Sequence, residues 1–430
     1  MPKEKFDFTA ELELAEEKET AKKKQEPTAK KKGEKKKKTP KEQNSFQKFL
    51  APMISAEESN AVRRVRGSMD TTFLIIVILL LCYGSIMVFS SSYAFAEQNF
   101  HNSMFFVKKQ TMWAAVGLVV MIIFSKIDYR ILRKFTLPIF CASYVLLWCV
   151  FIPGIGLSAK GATRWVDLGF ISFQPSDIMK FAIVLILALY ISTYIDKIGQ
   201  FKYGILIPAS ILIVVCGSVI VQKHISGTVI IFLIGAVMIL VSGASKKWLG
   251  GICAAGASAV CFIIFFTDYA SARVQAWLHP ETVLKDGGWQ PYQSLLAIGS
   301  GGFFGVGLGN SYQKQLWLPE PQNDFIFAIV CEELGFVGGI AVIVLFMSLM
   351  WRGFYIAKKA PDTFSSLLVT GLVAKVGIQA LLNIAVVTTT IPTTGIALPF
   401  FSYGGTALVI QLMEMGIVLS VSRYTSQEKV

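Results

Sequence analysis

Histidine is nearly absent from this chain: His101, His224 and His279 are the three in 430 residues, each isolated near a predicted helix end or in a loop. A histidine-built metal centre needs several ligands at fixed spacing, and that pattern is missing. The seven cysteines form no CxxC pair and are odd in number, which argues against a metal cluster and a disulfide framework. Charge is scarce too: Asp, Glu, Lys and Arg make up 16% of the chain, and acids are the scarcer sign, 28 against 41 basic residues. The start does not read as a cleaved signal, because no apolar stretch with a small-residue cleavage site follows the first charges.

Apolar sequence takes the place of what is missing. With 53% hydrophobic residues and a mean hydropathy of +0.56, the chain is too apolar for a soluble domain. Runs of roughly 18 to 25 apolar residues each span a bilayer as a helix. About ten occur, near residues 71–91, 106–125, 131–151, 175–195, 203–221, 228–243, 247–267, 325–350, 364–390 and 399–421, the sixth being short. The expected fold is therefore an all-α integral membrane protein, residues 69–423, with a large loop, 268–324, between helices 7 and 8. Residues 1–68 form a separate Lys/Glu-rich region whose charge density predicts a disordered tail, and 424–430 a short C-terminus. Basic clusters such as Lys35 to Lys38 would draw that tail to an anionic leaflet, while Phe46, Phe49 and Leu50 could lie on the membrane surface.

The net charge of +13 informs mainly through its placement. Lys126, Arg130, Arg133 and Lys134, then Lys197 and Lys202, Lys246 and Lys247, and Arg352, Lys358 and Lys359 fall in alternate short loops. The positive-inside rule then puts both termini in the cytoplasm and the 268–324 loop outside, in a multi-pass protein of the cytoplasmic membrane. No nucleic-acid partner is expected.

Several polar residues interrupt the apolar pattern, and an ionised group near hydrocarbon usually faces a cavity, a counter-ion or a substrate. Asp324 stands where the large loop enters the eighth span, with Glu320 before it and Glu332 and Glu333 after it. Pro175 suits a first helical turn, where Asp177 complements the helix dipole and shares a face with Lys180. Those two charges either neutralise each other or, with Arg164, offer cations to an anionic group. Lys375, deep in the ninth span, needs an acid, and Glu332 or Glu333 is expected to supply it. The 222–228 turn, with His224, is a weak signal. The glycine run 299–310 lacks the strand and helix of a nucleotide-binding fingerprint; such glycines instead permit close backbone approach or a re-entrant turn. Pro399, Gly404 and Gly405 predict a broken or closely packed last helix, with Ser402 and Tyr403 facing the same cavity as Asp324 as the alternative to plain helix packing.

Four ordered blocks make the chain resemble the SEDS family (shape, elongation, division and sporulation), its FtsW and SpoVE branch more than RodA. They are Gly161–Trp165 with Gln174–Asp177; Gln222–Thr228; Leu318–Glu320 with Asp324–Ala328 and Glu332–Gly335; and Pro392–Gly395 with Leu398–Phe400 and Ser402–Gly405. The resemblance implies a ten-helix peptidoglycan glycosyltransferase. Such an enzyme polymerises lipid II onto a nascent glycan strand at the outer membrane face, in division or sporulation, and releases undecaprenyl diphosphate. It also implies a class B penicillin-binding protein and other divisome membrane proteins as partners. Asp324 is the family-matched general base, a role that partial burial would favour. Arg164, Lys180 and Arg273 would stabilise the leaving diphosphate, with Glu320, Ser402 and Tyr403 as further candidates for substrate contact. Asp177, Glu332, Glu333 and Lys375 are expected to support the site. No cofactor is required, although magnesium or manganese could share the diphosphate role, held by Asp324 or Glu320. The sequence departs from the family pattern at Asp177, Lys223, Gln322-Asn323 and Thr406-Ala407. A lipid-linked precursor flippase and a non-enzymatic division scaffold are the rival readings.

Overall fold

The computed structural model describes residues 67–159, 162–169, 172–245, 274–279 and 288–425, with scattered positions from 247 to 258. The basic tail, most of the expected seventh span and Arg273 lie outside the described residues.

Eight of the described helices are long and apolar enough to cross a membrane, and a ninth apolar helix is shorter. In chain order they are α1 (Thr71–Phe100), α2 (Phe105–Lys126), α3 (Arg130–Cys149), α4 (Pro175–Thr193), α5 (Lys202–Val221) and α6 (Ile225–Val241). The short α7 (Trp289–Gly301) follows, then α8 (Ile326–Lys358), α9 (Thr363–Val387) and α10 (Gly405–Ser422). The short sixth apolar run is the shorter helix α6, so that expectation holds.

Local chemistry sets the helix starts. The Asp70 carboxylate accepts the Phe73 N–H at 2.9 Å and caps α1. Asp362 and Ser365 form a reciprocal capping box on α9. Pro175 occupies the first turn of α4, as its position suggested. Every residue from Met179 to Ile191 is buried, which makes α4 a central helix apolar nearly all round. By contrast, α3 is largely exposed and presents Phe135, Val145 and Trp148 outward. The Gly67 N–H donates to the Arg423 carbonyl at 2.8 Å, and Arg352 pairs with Asp70 at 2.8 Å, tying α1, α8 and α10 at one end of the bundle. That end is called the terminal end here, and its opposite the loop end.

Two features of the loop end differ from a simple reading of spans and loops. The stretch after α3 folds into a three-stranded antiparallel sheet, β1 (Gly156–Ala159), β2 (Ala162–Asp167) and β3 (Ser172–Phe173), with Leu157 opposite Trp165 and Val166 opposite Phe173. The last span begins at Gly405 instead of near 399. Pro399 and a left-handed Phe400 (φ 66°) keep residues 398–402 out of the helix, and the Ser402 hydroxyl accepts the Leu398 N–H at 2.7 Å. Close packing is present as well: a Cβ at Gly84 would lie 2.2 Å from the Phe400 carbonyl oxygen.

The glycine run after α7 enters a break in α8. Gly335 has φ 66° and ψ −163°, so the helix is interrupted there. The Val306 and Gly307 amides donate to the carbonyls of Glu332 and Glu333, both at 3.0 Å, and the Phe336 amide donates to Gly302 at 2.9 Å. Backbone meets backbone so closely that a Cβ at Gly305 would stand 2.1 Å from the Glu333 carbonyl oxygen. These glycines let the backbone of the turn pack directly into the α8 break.

Candidate active site

Asp324 precedes Phe325, the residue that caps α8, and its side chain is half-buried at the loop end. The helix terminus below it favours an anion. Its placement is set through backbone by the segment between α9 and α10, residues 388–404, which crosses this end as a strap. The Tyr403 amide donates to the Gln322 carbonyl at 2.9 Å, and the Ser402 hydroxyl donates to the Asn323 carbonyl at 2.7 Å. Asn383, fully buried near the end of α9, donates from one amide nitrogen to the Asp324 carbonyl at 2.7 Å and to the Ile396 carbonyl at 2.6 Å. Three consecutive carbonyls of the loop are thus tied down. The Asp324 carboxylate lies over Gly395, where a Cβ would come within 3.0 Å of Oδ2. Glu320, in a left-handed conformation (φ 50°), accepts a hydrogen bond from the Asn323 side chain at 3.3 Å.

Ser402 and Tyr403 thus bond the backbone of the two residues before Asp324. The Ser402 hydroxyl is committed to backbone on both sides. The Tyr403 ring packs edge-on against Phe106, with centroids 4.9 Å apart.

Charges lie deeper along the same helices. Asp177 and Lys180 form an ion pair at 2.7 Å. Lys375 does not pair with Glu332 or Glu333, contrary to expectation; its buried ammonium meets both oxygens of Glu414 on α10, at 2.6 and 2.8 Å. The reason is that Glu332 and Glu333 are taken up by the 311–314 segment and by Ser90 of α1. Glu333 takes Lys314 at 2.7 Å and the Ser90 hydroxyl at 2.6 Å, while Glu332 takes the Ser311 hydroxyl at 2.5 Å and the Tyr312 amide at 2.8 Å. Both carboxylates are buried and hydrogen-bonded, Glu332 to the 311–313 segment and Glu333 to Lys314 and to Ser90 of α1.

A third group sits where the sheet meets the turn between α5 and α6. Lys223 is left-handed (φ 56°), and its carbonyl accepts a hydrogen bond from the Arg164 guanidinium of β2. The buried Nε of Arg164 makes no hydrogen bond to protein. His224 is buried beside the Ser176 hydroxyl (3.3 Å) and the Gln174 amide (3.4 Å), so it is neither solvated nor free. Burial, reinforced by the nearby Lys180 and Arg164 charges against the opposing pull of Asp177, pushes its pKa down to about 3. The ring is therefore neutral at physiological pH.

Sequence reasoning singled out Asp324, Lys180 and Arg164 but gave no role to Asn383, Gly395 or Glu414. Glu414 was visible in principle, as an acid inside the apolar run Gly405–Ser422 that Lys375 could have been matched to. Among the described residues no three His, Cys, Asp or Glu side chains stand together as a metal-ligand set.

Comparison with known proteins agrees with this architecture. "Probable peptidoglycan glycosyltransferase FtsW" of Geobacter sp. (strain M18) is 38% identical over 362 residues, covering 84% of this chain and 98% of that protein. Stage V sporulation protein E of Bacillus subtilis (strain 168) is 40% identical over 372 residues with the same two coverages. Among solved structures, a chain of a peptidoglycan synthase complex, described as coordinating polymerization and crosslinking, superposes with a TM-score of 0.70 at 25% identity, covering 84% of this chain and 99% of that one. The Thermus thermophilus rod shape determining protein RodA shares the fold, with a TM-score of 0.61 at 24% identity, covering 84% of this chain and 98% of that one. The family model for FtsW, RodA and SpoVE, described as cell cycle protein, matches residues 70–427, and with these near full-length relatives it establishes that the chain belongs to the FtsW/RodA/SpoVE family.

Proposed function

We propose that this protein is a peptidoglycan glycosyltransferase of the bacterial cytoplasmic membrane that polymerises lipid II in cell division or sporulation. The observation that supports it most is the placement of Asp324, whose own carbonyl and the two before it are held by three residues, Asn383 of α9 and Ser402 and Tyr403 of the strap. Catalysis by a positioned base requires such fixed geometry. In this reading Asp324 takes the proton of the lipid II sugar C4 hydroxyl as its oxygen bonds to the anomeric carbon of the growing strand. The bond from that carbon to the diphosphate oxygen breaks, and undecaprenyl diphosphate leaves with the electron pair.

Fixed cations stabilise that departing charge. Lys180 donates to Asp177 and has further N–H groups to offer, and Arg164 keeps its Nε–H uncommitted. The loop end faces the outside and both termini the cytoplasm, in accord with the basic short loops. A class B penicillin-binding protein crosslinks the product, as the likeness to a synthase complex supports; other divisome membrane proteins are further partners.

The test is to purify the chain with and without its matched class B penicillin-binding protein, add labelled lipid II, and size the products for wild type and Asp324→Ala. Both proteins must be folded and equally abundant. Long strands from wild type alone are expected. Strands from the variant would remove Asp324 as the base, and none from any wild-type preparation would move the weight to a flippase or scaffold.

A further inference from the structure

The two helices that carry the strap barely touch one another. α9 packs mainly on α8, α4 and α6, whereas the main partner of α10 is α2. A seam therefore runs between α9 and α10, and the strap crosses it at the loop end, joining the end of α9 to the start of α10. Across this narrow interface lies a buried polar tie, the Lys375 ammonium on the two Glu414 oxygens, with both side chains almost wholly inaccessible. Lys375 precedes Asn383, the α9 residue that holds the strap, by eight residues and Glu414 follows Gly405 by nine, so the tie lies about 12 Å along α9 from Asn383 and about 14 Å along α10 from the end of the strap. The Asp177–Lys180 pair of α4 is close enough for each carboxylate to feel both lysines.

We propose that Lys375 and Glu414 are positioning residues of the glycosyl-transfer site: their ion pair closes the seam between α9 and α10 and so fixes the strap that holds Asp324. Buried ion pairs add little net stability but can select one register, because every slipped arrangement strands a charge. Sliding α10 along α9 by one residue would shift Glu414 by about 1.5 Å from Lys375 and drag Leu398, Ser402 and Tyr403 with it. The pair thus acts on chemistry through the strap, without touching substrate.

This inference rests on the polymerase reading for its rate measurement, and on strap exchange independently of that reading. The full chain in nanodiscs is compared with Glu414→Gln, Lys375→Met, the exchanged pair Lys375→Glu/Glu414→Lys and the apolar pair Lys375→Met/Glu414→Leu. Amide hydrogen exchange is followed over residues 320–324 and 388–404, with α1–α2 peptides as the internal control. In both single variants, exchange in those two segments is expected to rise about tenfold while the control peptides stay at wild-type rates. Polymerisation kcat should fall about tenfold, with half-saturating lipid II within about twofold. The exchanged pair should recover both readouts. The apolar pair, which strands no charge and keeps the protein falsifiable if the single variants do not fold, should still show the faster strap exchange. Wild-type strap exchange in the apolar pair or in folded single variants would overturn the proposal, as would a folded exchanged pair that stays loose. If wild type makes no glycan, the polymerase reading fails, and strap exchange alone decides this one.

Discussion

Replacing Asn383 with alanine tests whether Asp324 depends on its backbone anchor. The substitution removes one side-chain nitrogen that serves two carbonyls, Asp324 at 2.7 Å and Ile396 at 2.6 Å. A buried carbonyl left without its donor costs about 1–3 kcal/mol. The Ile396 bond is buried and bears that penalty, while the half-buried Asp324 end can recruit water and falls near the lower limit, giving about 2–4 kcal/mol in all. If between about 1.4 and 2.8 kcal/mol of this appears as misplacement of the base in the transition state, kcat falls about 10- to 100-fold. Substrate affinity should change little, because the lost bonds touch protein alone. The assay is lipid II polymerisation under single-turnover and saturating conditions, with circular dichroism and size-exclusion profiles to confirm folding. Wild-type kcat in a folded Asn383→Ala protein would refute the reasoning, since it would show that the Asn383 anchor does not set the position of Asp324.

Gly395→Ala places a methyl 3.0 Å from Asp324 Oδ2, so the carboxylate must yield by a few tenths of an ångström, and kcat should fall about three- to tenfold at unchanged thermal stability. Gly305→Ala asks a left-handed residue (φ 81°) to hold a Cβ 2.1 Å from the Glu333 carbonyl oxygen. A loss of more than about 3 kcal/mol is expected, read as a large drop in melting temperature or in folded yield. His224 has its pKa pushed down to about 3 in the folded protein, so the unfolded chain binds a proton first as acid is added. Its contribution to stability is complete above about pH 6.5 and is lost as the pH falls towards 3, at up to about 1.4 kcal/mol per pH unit. His224→Gln should flatten that part of the stability profile, and a melting curve with the same acid dependence as wild type would sink the argument.

Apolar run length carried most of the fold, because a helix crossing hydrocarbon has few other solutions, and nine of the expected spans correspond to described helices. Boundaries failed where polar chemistry competes with helix formation: the strap borrows Pro399 and the Ser402 hydroxyl from what read as the last span. The small sheet was missed because residues 154–174 are short and rich in turn formers, so pairing between Leu157 and Trp165 left no clear alternation. Asp324, Lys180 and Arg164 were legible as charges at membrane boundaries. Lys375 was legible as a residue needing an acid, but the expectation named Glu332 or Glu333 and not Glu414. The folded arrangement decides the pairing, because Ser90, Ser311 and Lys314 occupy Glu332 and Glu333 and leave Glu414 for Lys375, and no single sequence displays that. Asn383 acts through carbonyls, which carry no sequence signature at all.

The break at Gly335 divides α8 into two mechanical bodies. Residues 326–333 are buried throughout, clasped by the 302–307 turn and bearing Asp324 at their head, whereas beyond the break Phe336, Met347 and Trp351 lie exposed. A continuous helix of 33 residues would transmit any tilt of its long arm to its tip as a rigid lever. With the helix interrupted at Gly335, the direction of the short arm is set by the 302–307 turn, which bonds the carbonyls of Glu332 and Glu333 on one side of the break and the Phe336 amide on the other. The carboxylate of Asp324 is in this sense mounted on the scaffold of the loop end rather than on the membrane-spanning shaft beneath it.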